Sequence, residues 1–416
     1  MVNRVMQRKA ERLLDRFPVL AILGARQVGK TTLARGLGPE WLYIDLENPA
    51  DQARVMDSPE LFFADHPEKV IFDEAQACPS IFNMLRGVID QDRGSKGRYI
   101  LTGSSSFELL SNVSETLAGR VGLIELHPLM RSERLGRPLS PFFELFQQPV
   151  SSEWMDRLLS DPSACQGSFE SRESMLAGGY PEPALQDDSE YRLDWFENYF
   201  RTYIERDVLR QFPRLDLLRY RRVVRMLSHV SHTVINRSEI ARSVESSEAA
   251  VRDYLELIEG TYFWRSLPAF LTPKIKTTLK LPKGHFRDAG LCCYLQNLND
   301  VAQLETYPRL GHLFESFVVE ELIRGLEASG ARQLRYSHFR TKAGGEIDLI
   351  VEGSFGCLPI EVKYGTLVNA RELRSMAQFI ELHNIPLGMV FNHASRPRRV
   401  TESIIELPVS LLWKSD

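Results

Sequence analysis

The chain predicts an α/β protein: a mainly parallel sheet covered on both faces at the N-terminus, a helical middle region, and a second α/β domain at the C-terminus. Three observations carry this. Short apolar runs, PVLAIL, WLYIDL, KVIFDE, RYILTG and VGLIEL, alternate with helical or turn stretches as far as about residue 130, the rhythm of a parallel sheet with helical crossovers. The glycine-rich octet GARQVGKT, Gly24 to Thr31, directly follows the first run. Near the other end, the helical stretch GHLFESFVVEELIRGL precedes two acid-bearing strands, GGEIDLIVEG and LPIEVKYG.

The octet has the spacing of a P-loop. Backbone N–H groups of such a turn wrap a pyrophosphate, here those of Gly24, Gln27, Val28, Gly29 and Thr32, while Lys30 reaches the β- and γ-phosphates and the Thr31 hydroxyl faces Mg²⁺. A strand before the loop and TLARGL after it place the loop at a helix N-terminus, where the dipole and free amides favour an anion. The third run ends in Asp73 and Glu74, 43 residues beyond Lys30. Side chains alternate along a strand, so the two carboxylates are expected to point in different directions. Asp73 would hold Mg²⁺ and Glu74 would orient and deprotonate the attacking water, a hydrolase arrangement with ATP as substrate. The run RYILTGSSS ends in Thr102, Gly103 and Ser104; Thr102 and Ser104 can hydrogen-bond the water or γ-phosphate from a neighbouring strand, or can simply form a polar turn.

Together GARQVGKTT, VIFDEAQ, ILTGSSS and the later LAGR resemble the AAA+ ATPases, specifically a prokaryotic family that joins such a domain to a conserved C-terminal domain of unknown function. GGYPEPAL at Gly178 to Leu185, YFRTYIERDVL at Tyr199 to Leu209 and HFRDAGL at His285 to Leu291 are similar to that family's middle signatures. The resemblance implies a homo-oligomer in which an arginine from the neighbouring subunit completes the ATP site. Arg120, in ETLAGRVGLIEL, lies where the resemblance puts that arginine; a guanidinium on the γ-phosphate would neutralise transition-state charge. The alternative is a solvated arginine ahead of a strand.

Composition sets bounds. At 416 residues the chain is too long for one core,, and four segments are expected: 1–130 the ATPase domain, 131–215 a helical lid and connector, 216–291 a winged helix-turn-helix region, and 292–416 a C-terminal α/β domain. With 43% apolar and 25% charged residues it is globular,. A net charge of −4 advertises no global basic field, so a nucleic-acid partner must meet a local patch,. Five scattered cysteines without a C-x-x-C pair fit a reducing cytoplasm and argue against a zinc ribbon,. No apolar stretch approaches the roughly 18 residues needed to cross a bilayer, so neither a membrane nor export is expected.

Residues 201–225 hold eight arginines against three acids, with Tyr203, Phe212 and Tyr220 interleaved. This is the best candidate surface for DNA, and equally a composition that suits subunit interfaces. From Ile235 the pattern reads helix, turn, helix, strand, with Ser238 and Ser247 as N-caps and Gly260 as a stop. Glu248, Asp253, Glu256 and Glu259 against Arg252 alone make the second helix a poor DNA reader and a better protein contact. Lys274, Lys276, Lys280, Lys283 and Arg287 remain as a possible wing contact with DNA. His229 and His232 stand one turn apart without a third ligand at metal spacing, and read as packing or surface residues.

The C-terminal helix, acid-bearing strand hairpin and following helix ARELRSMAQFIEL resemble the PD-(D/E)xK nuclease superfamily. Glu361 and Lys363 share one face of an extended strand and Asp348 comes from the paired strand, 13 residues upstream,. The resemblance implies that Asp348 and Glu361 share a Mg²⁺, that Lys363 orients or deprotonates water, and that Glu315 reaches in from the helix through metal-bound water. Such a fold can also persist as a binding module that does not cut.

Overall fold

The computed structural model describes residues 2–104, 113, 115–160, 171–203, 208–209, 212, 215–271, 280–342 and 344–413. It divides into two compact units, Met1–Pro128 with Gly260–Tyr262, and Leu129–Glu259 with Phe263–Asp416.

The first unit is built on a five-stranded parallel sheet: β1 (Val19–Leu23), β2 (Leu42–Asp45), β3 (Val70–Asp73), β4 (Tyr99–Gly103) and β5 (Val121–Glu125). Their spatial order is β2-β3-β4-β1-β5, all pairs parallel. β1, β3 and β4 are buried along their whole length, which is why they read as continuous apolar runs rather than alternating ones. The reversal of strand order lies between β1 and β3, with β4 in between, and this crevice at the strand C-termini is where ligands bind in open parallel sheets.

The second unit holds two sheets. β6 (Thr233–Val234), β7 (Trp264–Leu267) and β8 (Lys283–Phe286) form an antiparallel trio in the order β6-β8-β7. Three helices, Leu217–His229, Arg237–Ser243 and Glu248–Gly260, come with it in the chain. The cap of the second helix is Asn236 rather than Ser238, whose hydroxyl instead donates to Asn236; Ser247 caps as expected, accepting from the Ala250 N–H. The larger sheet runs β13-β14-β12-β11-β10-β9, from β9 (Arg335–Arg340), β10 (Glu346–Gly353), β11 (Gly356–Val362), β12 (Gly388–Asn392), β13 (Arg398–Arg399) and β14 (Ile404–Pro408). β9, β10 and β11 are an antiparallel meander, while β12 joins β11 in parallel after the helix Arg374–His383. That helix closes a core of Ile347, Ile350, Phe339, Met376, Phe379 and Val390.

The two sheets of this unit are stitched together at β9. The His338 N–H donates to the Pro268 carbonyl and the Phe270 N–H to the His338 carbonyl, so the chain leaving β7 runs along the free edge of β9. Opposite His338, the pairing of β10 with β9 slips by one residue between Ile347 and Ile350. A bulge of this kind re-aims a side chain, and the residue it carries is Asp348.

Candidate active site and acidic cluster

The nucleotide crevice is built from the ends of β1, β3 and β4. Gly24 has φ +144°, and a Cβ there would lie 2.2 Å from the Leu126 carbonyl oxygen, so only glycine lets the loop pass β5's exit. Gln27 and Gly29 also take positive φ, and Gly29 leads into the helix Lys30–Arg35. Lys30 is buried, and its Nζ donates to the carbonyls of Gly24 at 3.0 Å and Ala25 at 2.9 Å, bracing the loop around its own lysine. Burial lowers the Lys30 ammonium while Glu74 and Asp73 pull it back up. Val28 is buried and its carbonyl accepts from Arg4 Nη1 at 2.6 Å; Arg4 Nη2 donates to the His127 carbonyl, also at 2.6 Å.

Asp73 ends β3, and three hydroxyls converge on its carboxylate. Thr31 donates at 2.8 Å, Tyr43 from β2 donates at 2.6 Å, and Thr102 from β4 donates as well. Burial, then the hydrogen bond to Asp73, raises the Tyr43 phenol, so it stays a donor. A carboxylate beside a threonine hydroxyl at the head of the loop is the donor set of a hard divalent cation. These residues fit Mg²⁺.

Glu74 differs from the expectation of simple strand alternation. β3 stops at Asp73, and Glu74 turns into the left-handed region, φ 49° and ψ 50°. Its N–H donates to Thr102 Oγ1 at 3.2 Å, and its carboxylate accepts from the Ser104 hydroxyl at 3.0 Å, the Ser104 N–H at 3.3 Å and the Gln76 amide. Thr102 and Ser104 are thus brought to the two acids and hold them in position. Arg120, just before β5, makes a two-pronged pair with Asp90 of the helix Ser80–Gln91, both contacts 2.9 Å; the Arg120 hydrogen bond is foremost in holding the Asp90 carboxyl below its ordinary range. Tyr43, Arg4 and Gln76 were not singled out by the sequence, since a strand tyrosine and an N-terminal arginine carry no motif.

The second unit gathers a buried acidic cluster. Asp348 on β10 accepts the Val362 N–H at Oδ2, 2.9 Å, and its own N–H donates to Glu361 on β11 at 3.3 Å. Lys363, just past β11, donates to Glu361 at 2.5 Å. Glu315 stands on the helix Leu310–Ser329. The four residues expected together are therefore neighbours. Two more join them. Lys283 of β8 is 1% exposed and bridges Glu346 at 2.7 Å and Asp348 Oδ1 at 2.8 Å. His232, also buried, sets Nε2 3.4 Å from the same Oδ1 and 3.7 Å from Glu315, and ligand atoms of His232, Glu315 and Asp348 lie within 4.8 Å of one another.

These placements correct the sequence reading twice. Lys283 and Arg287 are buried and are not wing contacts; Lys280 is exposed, and Lys274 and Lys276 lie outside the described residues. His232 lies beyond the end of its helix at His229, with φ +62°, and does have acidic neighbours. The cause is the period of β8: Lys283 and His285 share one face, His285 reaching Glu320 at 2.9 Å and Lys283 reaching Asp348,. The charge balance follows. Burial alone would lower Lys283 and raise Asp348, but their mutual attraction outweighs it, holding the ammonium above and the Asp348 carboxyl well below their ordinary ranges. Glu315 is pushed up to about 9 and Glu361 to about 8, by burial first and Asp348 second. In this arrangement the Lys283 ammonium holds Oδ1 of Asp348 and the Val362 N–H holds Oδ2.

The middle signatures have structural work. Asp288 caps the helix Ala289–Leu295 through the Leu291 N–H and accepts the Gly179 N–H at 2.7 Å. A Cβ on Gly290 would lie 2.9 Å from Gly178. HFRDAGL and GGYPEPAL therefore lock to each other. YFRTYIERDVL falls partly outside the described residues, as do Arg206, Arg210 and Arg214 of the 201–225 arginine stretch.

Residues 16–135 match the model of an AAA domain. With the P-loop crevice and its paired acids, this defines an AAA-type ATPase, a protein that binds and hydrolyses ATP. Residues 169–302 and 310–412 match two domains of unknown function, DUF8612 and DUF4143. The uncharacterized protein Mb2031c of Mycobacterium bovis and the uncharacterized protein Rv2008c of Mycobacterium tuberculosis are each 31% identical over 383 residues, 91% of this chain and 78% of theirs. The chain belongs to the family of these mycobacterial proteins. Among solved structures, a Walker-type ATPase of Pyrococcus abyssi aligns with TM-score 0.45 and 16% identity over 71% of this chain and 96% of its own. Among the described residues, no helix is long and apolar enough to cross a membrane.

Proposed function

We propose that the chain is a Mg²⁺-dependent ATPase of the cytoplasm, acting as a homo-oligomer, whose nucleotide cycle governs how its second unit engages DNA. The hydroxyl-held pair Asp73 and Glu74 carries the catalytic half. Thr31 and Asp73 would hold Mg²⁺, which supplies charge neutralisation at the phosphates. The amides of Gly24, Gln27, Val28, Gly29 and Thr32 bind the phosphates, and Lys30, once it exchanges its loop carbonyls for them, anchors their charge. Glu74, fixed by Ser104 and Thr102, orients water and takes its proton. Arg120 would act across a subunit boundary after leaving Asp90.

The DNA half rests on topology. Helix, antiparallel meander, helix and parallel strand, with Asp348, Glu361, Lys363 and Glu315 at one place, support a PD-(D/E)xK nuclease-like fold. The helices and three-stranded sheet before it support a winged-helix region. A second reading, an ATP-controlled switch whose C-terminal domain binds without cutting, is favoured by one observation: Lys283 already neutralises the acidic cluster. Binding and cleavage of single-stranded, duplex and branched DNA, measured with and without Mg²⁺ and ATP, separate the two. ATP-dependent DNA binding with cleavage supports the first reading; binding without cleavage, or no binding to any form, leaves the switch.

A further inference from the structure

The acidic cluster contains its own cation. Four carboxylates, Glu315, Glu346, Asp348 and Glu361, meet two lysines there, and Lys283 belongs to neither strand of the acid-bearing hairpin. It arrives from β8, whose neighbours anchor it: His285 on the same face pairs with Glu320, and Arg265 on β7 also pairs with Glu320. The strand is thus fixed to the helix that carries Glu315, and its lysine is delivered to Asp348 with little freedom to withdraw. His232, beside the same oxygen, has both ring nitrogens buried without a hydrogen bond.

We infer that the Lys283 ammonium is the resident cation of this cluster, standing where a divalent metal would otherwise bind, so that a metal can bind Asp348 only after Lys283 leaves it. A primary ammonium 2.8 Å from Oδ1 sits at the oxygen that a divalent ion held with His232 and Glu315 would use,, and two cations at one carboxylate repel. Remove the amine, and Asp348, Glu361, Glu315 and His232 become a carboxylate–imidazole ligand set suited to Mn²⁺. The inference does not depend on whether DNA is engaged, and its test uses none.

The test is Mn²⁺ titration of the nucleotide-free full chain, by calorimetry and thermal denaturation, for wild type, Asp348→Asn, Lys283→Met and the double variant. Wild type and Asp348→Asn should bind Mn²⁺ alike. Lys283→Met should melt lower without metal, gain one Asp348-dependent site about tenfold tighter or more than anything in wild type, and recover its melting temperature with Mn²⁺. The double variant should melt higher than Lys283→Met alone, because it buries no unpaired charge. If Lys283→Met folds only with Mn²⁺ or only with Asp348→Asn beside it, the inference stands. Asp348-dependent Mn²⁺ binding in wild type as tight as in Lys283→Met would overturn it. So would a Lys283→Met that neither Mn²⁺ nor Asp348→Asn improves.

Discussion

Glu74 occupies the left-handed region, a conformation that costs a side chain with a Cβ roughly 1–2 kcal/mol,. The surrounding bonds hold it there, and their common result is a carboxylate aimed by Ser104 and Gln76 rather than by its strand. Glu74→Gln keeps the shape and can still meet those donors, but cannot take a proton. It should bind ATP at near wild-type affinity while hydrolysis falls by roughly 10²–10⁴-fold, whereas Lys30→Ala should lose binding itself. Nucleotide-binding and phosphate-release assays on both variants check this; wild-type turnover by Glu74→Gln would remove Glu74 from the base role. At this scale the motif residues were legible, because P-loop chemistry fixes residue type and spacing. Tyr43, Arg4, Lys283 and His232 were not. Each acts through a contact across long sequence separation, and a lysine in KGHF looks like any solvated lysine until the strand's partner is known.

The helix Leu310–Ser329 shows how an element carries charge through a core. Glu320 takes Arg265, His285 and Arg324, and Glu321 accepts the Arg131 N–H with Arg324 beside it. Buried pairs of this kind stabilise little by their presence but cost about 3–5 kcal/mol when one partner is removed. Glu321 gives a pH signature. Burial pushes its carboxyl up to about 7 against an ordinary value of 4.5. A raised folded-state value means its contribution is fully present below about pH 4.5 and is lost as pH rises to about 7. Glu321→Gln cannot ionise, so the difference in stability, variant minus wild type, should grow in the variant's favour from pH 4.5 to 7 and then level off. Denaturant unfolding across that range measures it; a flat difference would show that folding does not raise the Glu321 carboxyl. The elements themselves were largely readable. β1, β3 and β4 announced themselves as apolar runs bounded by glycine and acids, and the hairpin as two short runs each carrying an acid. The bulge at Asp348 was not readable, since it exists only relative to β9.

For the whole molecule, the second unit runs in chain order through helices, a small sheet and then a larger one. What the pattern could not convey is that β8, assigned to the middle region, supplies a residue to the C-terminal acidic cluster. Assembly is a property of this scale. If Arg120 acts across a subunit boundary, mixing Arg120→Ala with Lys30→Ala chains should restore part of the ATPase activity that each lacks alone, since some shared interfaces then combine an intact loop with an intact arginine. No recovery in mixtures shown to co-assemble would confine Arg120 to its pairing with Asp90. The proposed coupling of ATP turnover in the first unit to DNA engagement by the second is also a property of the whole chain. Steady-state ATP hydrolysis by the full chain should rise strongly with the length of added DNA and should vanish in Lys30→Ala, whereas a rate indifferent to every DNA form would show that the two units are not coupled through DNA.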